Sequence, residues 1–208
     1  MGISASSARP AKPPLQNIPD GAEKATLAAG CFWGVEHIYS KHFPSVDAGG
    51  GLYDARVGYT GGDKSNPSYR QVCSGTTGHA EALQLVYNPS KVSYRELIEF
   101  FFRIHDPTTK NAQGNDRGTQ YRSAIFTHSP EQERIARQVT QQVADAKWFT
   151  RRNKMGVVVP EAITTQIAPA GKWYDAEPDH QEYLDANPWG YQCPTHFIRD
   201  MPPLPPVS

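Results

Sequence analysis

Hydrophobic and polar positions along the chain alternate between two spacings, which predicts interleaved strands and helices. The apolar run at residues 25–29 predicts a buried strand that ends at Gly30. Residues 81–87 predict a second strand, which Asn88-Pro89 ends. Further strands are predicted over residues 124–127, 157–159 and 163–167.

Three other stretches repeat their apolar residues at helical spacing. The first covers residues 33–42, and the second begins with the capping-box pattern SYRE at residues 93–96 and continues to about His105. The third begins with SPEQ at residues 129–132. The expected buried faces are Leu97, Ile98, Phe101 and Phe102 in the second helix and Ile135, Val139, Val143 and Ala146 in the third. Without an internal repeat, this order favours a single α+β or α/β domain.

Length and charge then narrow the class of protein. The 208 residues suit one compact domain, and the 21 Lys plus Arg balance the 21 Asp plus Glu. A neutral chain has no overall field for a polyanion, which argues against nucleic acid as the main partner. No window approaches the roughly 18 consecutive apolar residues of a membrane span, and no secretory signal opens the chain. We expect a soluble protein of the cytoplasm.

Composition divides the chain into a folded part and two tails. Residues 1–23 are proline-rich and poor in apolar side chains, so we expect a flexible tail. Its start resembles the loose pattern for myristoylation at Gly2, although such a short pattern recurs by chance. Residues 24–200 form the predicted domain, and residues 201–208 form a second, proline-rich tail. The glycine-rich loops inside the domain, at residues 49–62, 65–79 and 106–121, are of the length that often carries function.

Three cysteines are the first candidates for chemistry. Cys31, Cys73 and Cys193 are too few for a disulfide framework, and their odd number leaves at least one unpaired within the chain. Cys31 lies in the segment GCFWG, residues 30–34, between a predicted strand and helix, where free backbone N–H groups and the helix dipole favour a thiolate. A lone cysteine is commonly a small buried residue. A core position does not require the two flanking glycines, so a buried structural role and a nucleophilic role for Cys31 are equally favoured at this point.

Other side chains in these segments complement a nucleophile. Phe32 and Trp33 are placed to line an apolar cleft, or else belong to the core. Glu81 opens an apolar strand, where burial would raise its pKa and keep it protonated as an acid; the alternative is an exposed carboxylate at a strand end. Asp116 and Tyr121 lie in a segment dense in hydrogen-bonding groups, or in a structural turn.

A metal site is the competing use of the cysteines. Cys73 with His79 and Cys193 with His196 would supply four zinc ligands, but their spacings differ from those of common zinc fingers. We therefore expect no metal. A zinc-binding adaptor with a partner-recruiting proline-rich tail is the nonenzymatic alternative.

Several motifs resemble the peptide methionine sulfoxide reductase A family. The segment GCFWG is similar to the family signature, and the other matching segments follow in family order. These are GYTGG at 58–62, NPSYRQVCSG at 66–75, GHAE at 78–81, HDP at 105–107 and GNDRGTQYRS at 114–123. The resemblance covers roughly residues 25–199. It implies a two-layer α+β sandwich with a ferredoxin-like core, a mixed sheet and long loop excursions, and reduction of the S epimer of methionine sulfoxide.

The resemblance also implies roles for individual residues. Cys31 is the expected nucleophile, Glu81 the acid, and Phe32 and Trp33 the cradle for the substrate methyl group. A sulfoxide needs both an apolar slot for its methyl and donors for its oxygen. Protonation of the oxygen makes the sulfur electrophilic, and attack by Cys31 leaves a sulfenic acid.

Further implied roles concern the oxygen and the recovery of the thiol. Tyr69 and Tyr121 are expected to hydrogen-bond the sulfoxide oxygen, and Asp116 to help position substrate. The segment NPWGYQCPTH at residues 187–196 resembles the family branch with one resolving cysteine, here Cys193. No cysteine follows it, so we expect a thioredoxin to reduce the intramolecular disulfide directly, without a bound cofactor. The glycine-rich stretch at 46–54 departs from compact relatives.

A cysteine hydrolase or acyltransferase is the other enzyme class that these residues permit. In that interpretation His79 activates Cys31, and Glu81 or Asp116 orients the imidazole.

Overall fold

The computed structural model describes residue 13 and residues 17–206, and its strands form one six-stranded sheet and two short hairpins. The strands are β1 Glu23–Ala29, β2 Leu52–Thr60, β3 Ala80–Tyr87, β4 Ala112–Gln113, β5 Asp116–Arg117, β6 Ser123–Thr127, β7 Thr150–Arg152, β8 Val158–Pro160, β9 Gln166–Pro169 and β10 Tyr174–Asp175. The α-helices are α1 Phe32–His42, α2 Tyr69–Cys73, α3 Tyr94–Ile104, α4 Pro130–Asp145 and α5 Tyr183–Ala186. Single 3₁₀ turns cover Val46–Ala48, Thr119–Tyr121 and Pro178–His180.

The centre of the sheet has ferredoxin-like topology. Strands and helices β1, α1, β2, β3, α3 and β6 form a βαββαβ unit, and the strand order β2-β3-β1-β6 has every pair antiparallel. Strand β10 adds to β2 in antiparallel fashion, and β9 adds to β6 in parallel, which makes the sheet mixed. The predicted α+β class, ferredoxin-like core and mixed sheet are therefore confirmed.

One face of the sheet packs against the helices. The apolar face of α3 that the sequence predicts is fully buried, because Leu97, Ile98, Phe101 and Phe102 all belong to the main core. Burial of such a side chain stabilises the fold by about 1.5–3 kcal/mol. The opposite face of the sheet carries a smaller buried cluster, comprising Ala28, Ala80, Ala82, Ala124 and Phe126. The layer of helices thus lies on one side and loops cover the other.

The start and end of α4 differ from expectation. Ser129 accepts the backbone N–H of Gln132 as predicted, but the Gln132 side chain accepts from His128 and donates to the carbonyl of Lys24 in β1. The reciprocal half of the capping box is therefore replaced by a contact with the sheet. Ala146, expected to face inward, follows the last helical residue and is exposed, while Trp148 packs into the core instead.

Two of the predicted strands have other positions or partners. The run at 157–159 begins one residue later, as β8, and pairs with β7 outside the main sheet. The strand expected over 163–167 begins at Gln166, because the backbone N–H and hydroxyl of Thr164 both donate to the carbonyl of Pro107. That contact holds the start of the segment on the loop after α3.

The C-terminal residues lie along α3. Arg95 donates to the carbonyl of Pro205, and Arg103 donates to the carbonyl of Met201. Within the described residues no helix is long and apolar enough to cross a membrane. Most of the predicted N-terminal tail, including Gly2, lies outside the described residues.

Candidate active site

Cys31 lies where the central strand of the sheet turns into a helix. β1 ends at Ala29, Gly30 turns the chain with φ +95°, and Cys31 is the N-cap of α1. A positive φ of this size favours glycine, which explains one of the two glycines in the motif. The thiol is 7% exposed. The geometry matches the predicted strand-to-helix junction.

Two opposing effects act on the Cys31 thiol. Burial first, and then the Glu81 carboxylate, raise the pKa of Cys31 well above its ordinary value, although the backbone N–H groups of Trp33 and Gly34 lower it. The helix N-terminus thus favours a thiolate as predicted, but desolvation outweighs it and the substrate-free thiol is protonated. A proton on Glu81 removes the second of the unfavourable effects.

Glu81 is a buried carboxyl next to this thiol. It is 1% exposed at the start of β3, which excludes the exposed strand-end alternative. Its Oε2 accepts the backbone N–H of Phe32 at 3.1 Å, while Oε1 is buried with no hydrogen-bond partner among the described residues. Burial raises the pKa of Glu81 to about 8, and nearby Asp116 adds to the shift. The carboxyl is consequently protonated at neutral pH and has one oxygen to offer a ligand.

Aromatic rings form a wall beside these two groups. The buried Phe32 ring stacks on Tyr69 with centroids 6.4 Å apart, and Tyr69 lies 4.2 Å from the ring of His180. Trp33 stacks on Tyr183 at 3.8 Å and donates its indole N–H to Nδ1 of His180. Phe32 belongs to the core and Trp33 is partly exposed against it, so the pair both packs the fold and lines the wall.

Tyr121 and Asp116 close another side of the site. Burial raises the pKa of Tyr121, with Glu81, Asp116 and Cys31 among the groups close enough to contribute. Asp116 accepts the hydroxyl of Tyr191 at 2.9 Å through Oδ1, and its Oδ2 is buried without a partner among the described residues. The predicted structural turn is therefore also a source of hydrogen-bonding groups that face Cys31 and Glu81.

Cys193 reaches this region from the other end of the chain. It is 2% exposed, and its thiol lies 3.5 Å from the carbonyl of Gln113 and 3.3 Å from the hydroxyl of Thr195. Burial raises the pKa of Cys193, and a contact with Asp116 raises it further. Asp116 thus lies within electrostatic reach of both Cys31 and Cys193.

Cys73 lies close to the aromatic wall of the site. It lies at the end of α2 and is half-buried, and burial raises the pKa of its thiol while the nearby Tyr69 hydroxyl lowers it. All three cysteines are free. Cys73 therefore lies behind the aromatic wall rather than in a separate part of the core.

The hydrolase alternative places His79 as a base, and the structure uses this ring elsewhere. Nδ1 accepts the backbone N–H of Gly62 at 3.2 Å, and Nε2 donates to the carbonyl of Lys64 at 2.7 Å. Both ring nitrogens thus hold the loop after β2. Within residues 17–206 no three His, Cys, Asp or Glu side chains are grouped as metal ligands.

Several residues at the site were not identified from the sequence. Glu177 accepts the backbone N–H of Tyr69 and the hydroxyl of Tyr59, each at 2.8 Å, and so holds the aromatic wall. Gln113 and His180 are the other main omissions. The one available signal was the density of polar and aromatic residues at 173–183, since no local spacing links this segment to Cys31.

Known proteins are similar to this chain in sequence and fold. A model of the family described as peptide methionine sulfoxide reductase matches residues 23–201. The chain is 51% identical over 175 residues to a probable peptide methionine sulfoxide reductase of Schizosaccharomyces pombe, which covers 84% of this chain and 95% of that protein.

Solved structures agree with the sequence comparison. Reduced Mxr1 of Saccharomyces cerevisiae superposes with a TM-score of 0.76 at 44% identity, covering 88% of this chain and 94% of that one. Mxr1 in complex with Trx2 gives a TM-score of 0.57 at 32% identity, covering 90% and 96%. The chain belongs to the peptide methionine sulfoxide reductase A family and is an enzyme that reduces methionine sulfoxide.

Proposed function

We propose that the enzyme reduces the S epimer of methionine sulfoxide, free or in proteins, with Cys31 as nucleophile and Glu81 as acid. The observation that carries this proposal is the Glu81 carboxyl, which is buried, has one unpartnered oxygen and has a pKa raised to about 8. A neutral carboxylic acid is suited to donate a proton to a sulfoxide oxygen at physiological pH.

The remaining groups supply recognition. Phe32 and Trp33 provide an apolar surface for the methyl group, and the hydroxyls of Tyr69 and Tyr121 hydrogen-bond the oxygen, with Asp116 helping to position substrate. Support comes from Phe32, whose backbone N–H donates to Glu81, and from Tyr69 and Tyr121, which lie within electrostatic reach of Glu81. Asp116 also lies within reach of Glu81, and Trp33 is next to the Phe32 ring. Because the apolar surface for the methyl, the donors for the oxygen and the attacking Cys31 sulfur meet the substrate sulfur from three fixed directions, only one epimer fits all three.

The reaction transfers oxygen from one sulfur to the other. Glu81 protonates the sulfoxide oxygen, and the Cys31 sulfur attacks the substrate sulfur as its thiol proton passes to the Glu81 carboxylate. The S–S bond formed in this step then breaks as the hydroxyl moves from the substrate sulfur to the Cys31 sulfur, so methionine leaves with two electrons more and Cys31 becomes a sulfenic acid. The thiol of Cys193 then condenses with that acid. A Cys31–Cys193 disulfide forms and one water leaves, which carries the sulfenic oxygen.

A thioredoxin completes the cycle in the cytoplasm. It becomes oxidised to its own disulfide as it returns Cys31 and Cys193 to thiols. Residues 194–208 contain no cysteine that would relay the disulfide outward. The complex of the relative Mxr1 with Trx2 supports a thioredoxin as the reductant. Neither a bound cofactor nor a metal takes part in this scheme.

The decisive experiment offers the purified protein the two epimers separately, first with dithiothreitol and then with a thioredoxin system. We expect turnover of the S epimer alone, and none by Cys31→Ser. Equal turnover of both epimers, or of neither, would contradict the proposal. Thioester hydrolysis that Cys31→Ser abolishes would support the hydrolase alternative instead.

A further inference from the structure

The segment that carries Cys193 is attached to the backbone of the loop that carries Cys31. His196, three residues after Cys193, places Nε2 at 2.7 Å from the carbonyl oxygen of Ala29, the last residue of β1. Because a carbonyl only accepts, Nε2 carries the proton and donates. Nδ1 is buried and has no partner among the described residues. The ring is therefore fixed by the chain immediately before Cys31.

The space for this attachment comes from the two glycines that flank Cys31. A Cβ at Gly34 would lie 2.3 Å from Nδ1 of His196, and a Cβ at Gly30 would lie 2.5 Å from Cγ of Gln113. Any side chain at either position would displace the residue packed on it. The space beside the two glycines is thus filled by His196 at Gly34 and by Gln113 at Gly30.

Gln113 holds the other end of the same segment. Its backbone carbonyl accepts from the Cys193 thiol, and its side-chain oxygen accepts from the Thr195 hydroxyl at 3.0 Å. Gln113 is itself fully buried, and its side chain hydrogen-bonds both the N–H and the carbonyl of Asp106. This anchor is rigid, since its own donors and acceptors are fixed by the loop after α3.

We infer that His196, Thr195 and Gln113 are positioning residues for disulfide formation, holding Cys193 against the Cys31 loop before any oxidation occurs. The inference rests on the proposed function, because it concerns the second step of that scheme. The step condenses the Cys31 sulfenic acid with the Cys193 thiol to a disulfide and water, without a further oxidant. A thiol already held near the electrophile does not need to search for it.

The test separates the two steps in time. A single dose of the S epimer is mixed with enzyme without reductant, and methionine release and the Cys31–Cys193 disulfide are followed by rapid quench and mass spectrometry. For His196→Ala we expect methionine release at a rate within about twofold of the parent. Disulfide formation should be slowed about tenfold, because the variant loses one buried hydrogen bond to the backbone. Sulfenic acid on Cys31 should accumulate and react with dimedone.

Two further variants and one control sharpen the result. Thr195→Val keeps the side-chain shape but removes the hydrogen bond to Gln113, and should slow the same step by about threefold to tenfold. The control is Phe197→Ala, which alters the exposed neighbour of His196. The Phe197 ring lies 4.3 Å from the Arg199 guanidinium, and its removal should leave the rates of methionine release and disulfide formation unchanged. Gly34→Ala should displace His196 and slow disulfide formation, with no additional loss when combined with His196→Ala.

The possible outcomes distinguish a failure of this inference from a failure of the proposed function. If Cys193→Ser stops thioredoxin-driven cycling but His196→Ala and Thr195→Val form the disulfide at the parental rate or faster, the positioning role is wrong and the proposed function stands. Loss of methionine release in His196→Ala would place the histidine in the first step and also overturn the inference. Sustained cycling by Cys193→Ser would remove the proposed second step itself.

Discussion

The two cysteines of the proposed redox pair lie in regions that are built in different ways. Cys31 follows β1, which pairs with β3 on one side and β6 on the other, and it begins α1. Residues 187–200 around Cys193 contain neither helix nor strand. Side-chain hydrogen bonds hold that segment, while Trp189 on it is 99% exposed.

This difference has a consequence for local stability. The chain on both sides of Cys31 packs into the main core through Ala29 and Phe32, so displacing it disturbs the part of the fold that opens at the highest free-energy cost. The Cys193 segment is released when a few hydrogen bonds break, at a cost of about 0.5–1.5 kcal/mol each. A fixed nucleophile and a releasable second thiol are what the proposed cycle needs, because the disulfide must form at the site and then meet a partner protein.

The largest expected effect comes from removing the thiol of the releasable segment, Cys193, alone. In Cys193→Ser, the Cys31 region keeps every contact that holds it, so the S epimer should still be reduced once. With thioredoxin as the only reductant the variant should release one methionine per enzyme and then stop, because the sulfenic acid has no internal thiol to condense with. The measurement is methionine released per enzyme over time.

Dithiothreitol provides the control for this variant. A small thiol reaches the sulfenic acid directly, so cycling should resume when it is added. Continued turnover of Cys193→Ser with thioredoxin alone would mean that the second thiol is elsewhere, and Cys73 would be the candidate.

The second-largest expected effect tests the fixed region around Cys31. Glu81→Gln keeps the shape of the carboxyl and removes the acid, and should slow methionine release in a single turnover by about 10²–10⁴-fold. The raised pKa sets the pH dependence. Below pH 8 the carboxyl carries its proton, so the parental rate should fall as pH rises through about 8.

The pH profile of the variant is the matched control. The amide that replaces the carboxyl does not titrate, so the alkaline decline assigned to Glu81 should be absent from Glu81→Gln. A variant with the parental single-turnover rate, or with the same decline near pH 8, would restrict Glu81 to a structural role.

The fixed region was also the more predictable one. β1 and β3 are short apolar runs with clear ends, and α3 has helical spacing and a capping box; the structure has each within a residue or two of its predicted bounds. The weaker predictions fall where tertiary contacts override local pattern. Thr164 delays the start of β9 because it bonds Pro107, 57 positions earlier in the chain.

The residues of the site also divide into those that local sequence predicts and those that it does not. The position of Cys31 at a strand-to-helix junction and the burial of Glu81 follow from local sequence, since each depends on the element that carries the residue. The roles of Gln113 and His180 do not, because their partners are distant. Thr195 meets Gln113 across 82 positions, and Trp33 meets His180 across 147, and no periodicity or spacing encodes such pairs.

The smallest expected effect concerns the thiol that belongs to neither region. Cys73 is half-buried behind the aromatic wall, where burial raises the pKa of its thiol and the nearby Tyr69 hydroxyl lowers it. Cys73→Ser keeps a small polar side chain next to Tyr69, so Tyr69 should keep its orientation and kcat/KM for the S epimer should change by less than about threefold. Mass spectrometry should still find Cys31 bridged to Cys193. Cys73→Val, which removes the polar group next to the Tyr69 hydroxyl and so disturbs its position, should raise KM more than it lowers kcat. Loss of the intramolecular disulfide in a folded Cys73→Ser protein would instead make Cys73 the second redox thiol, and the comparison between the fixed and the releasable cysteine would then fail.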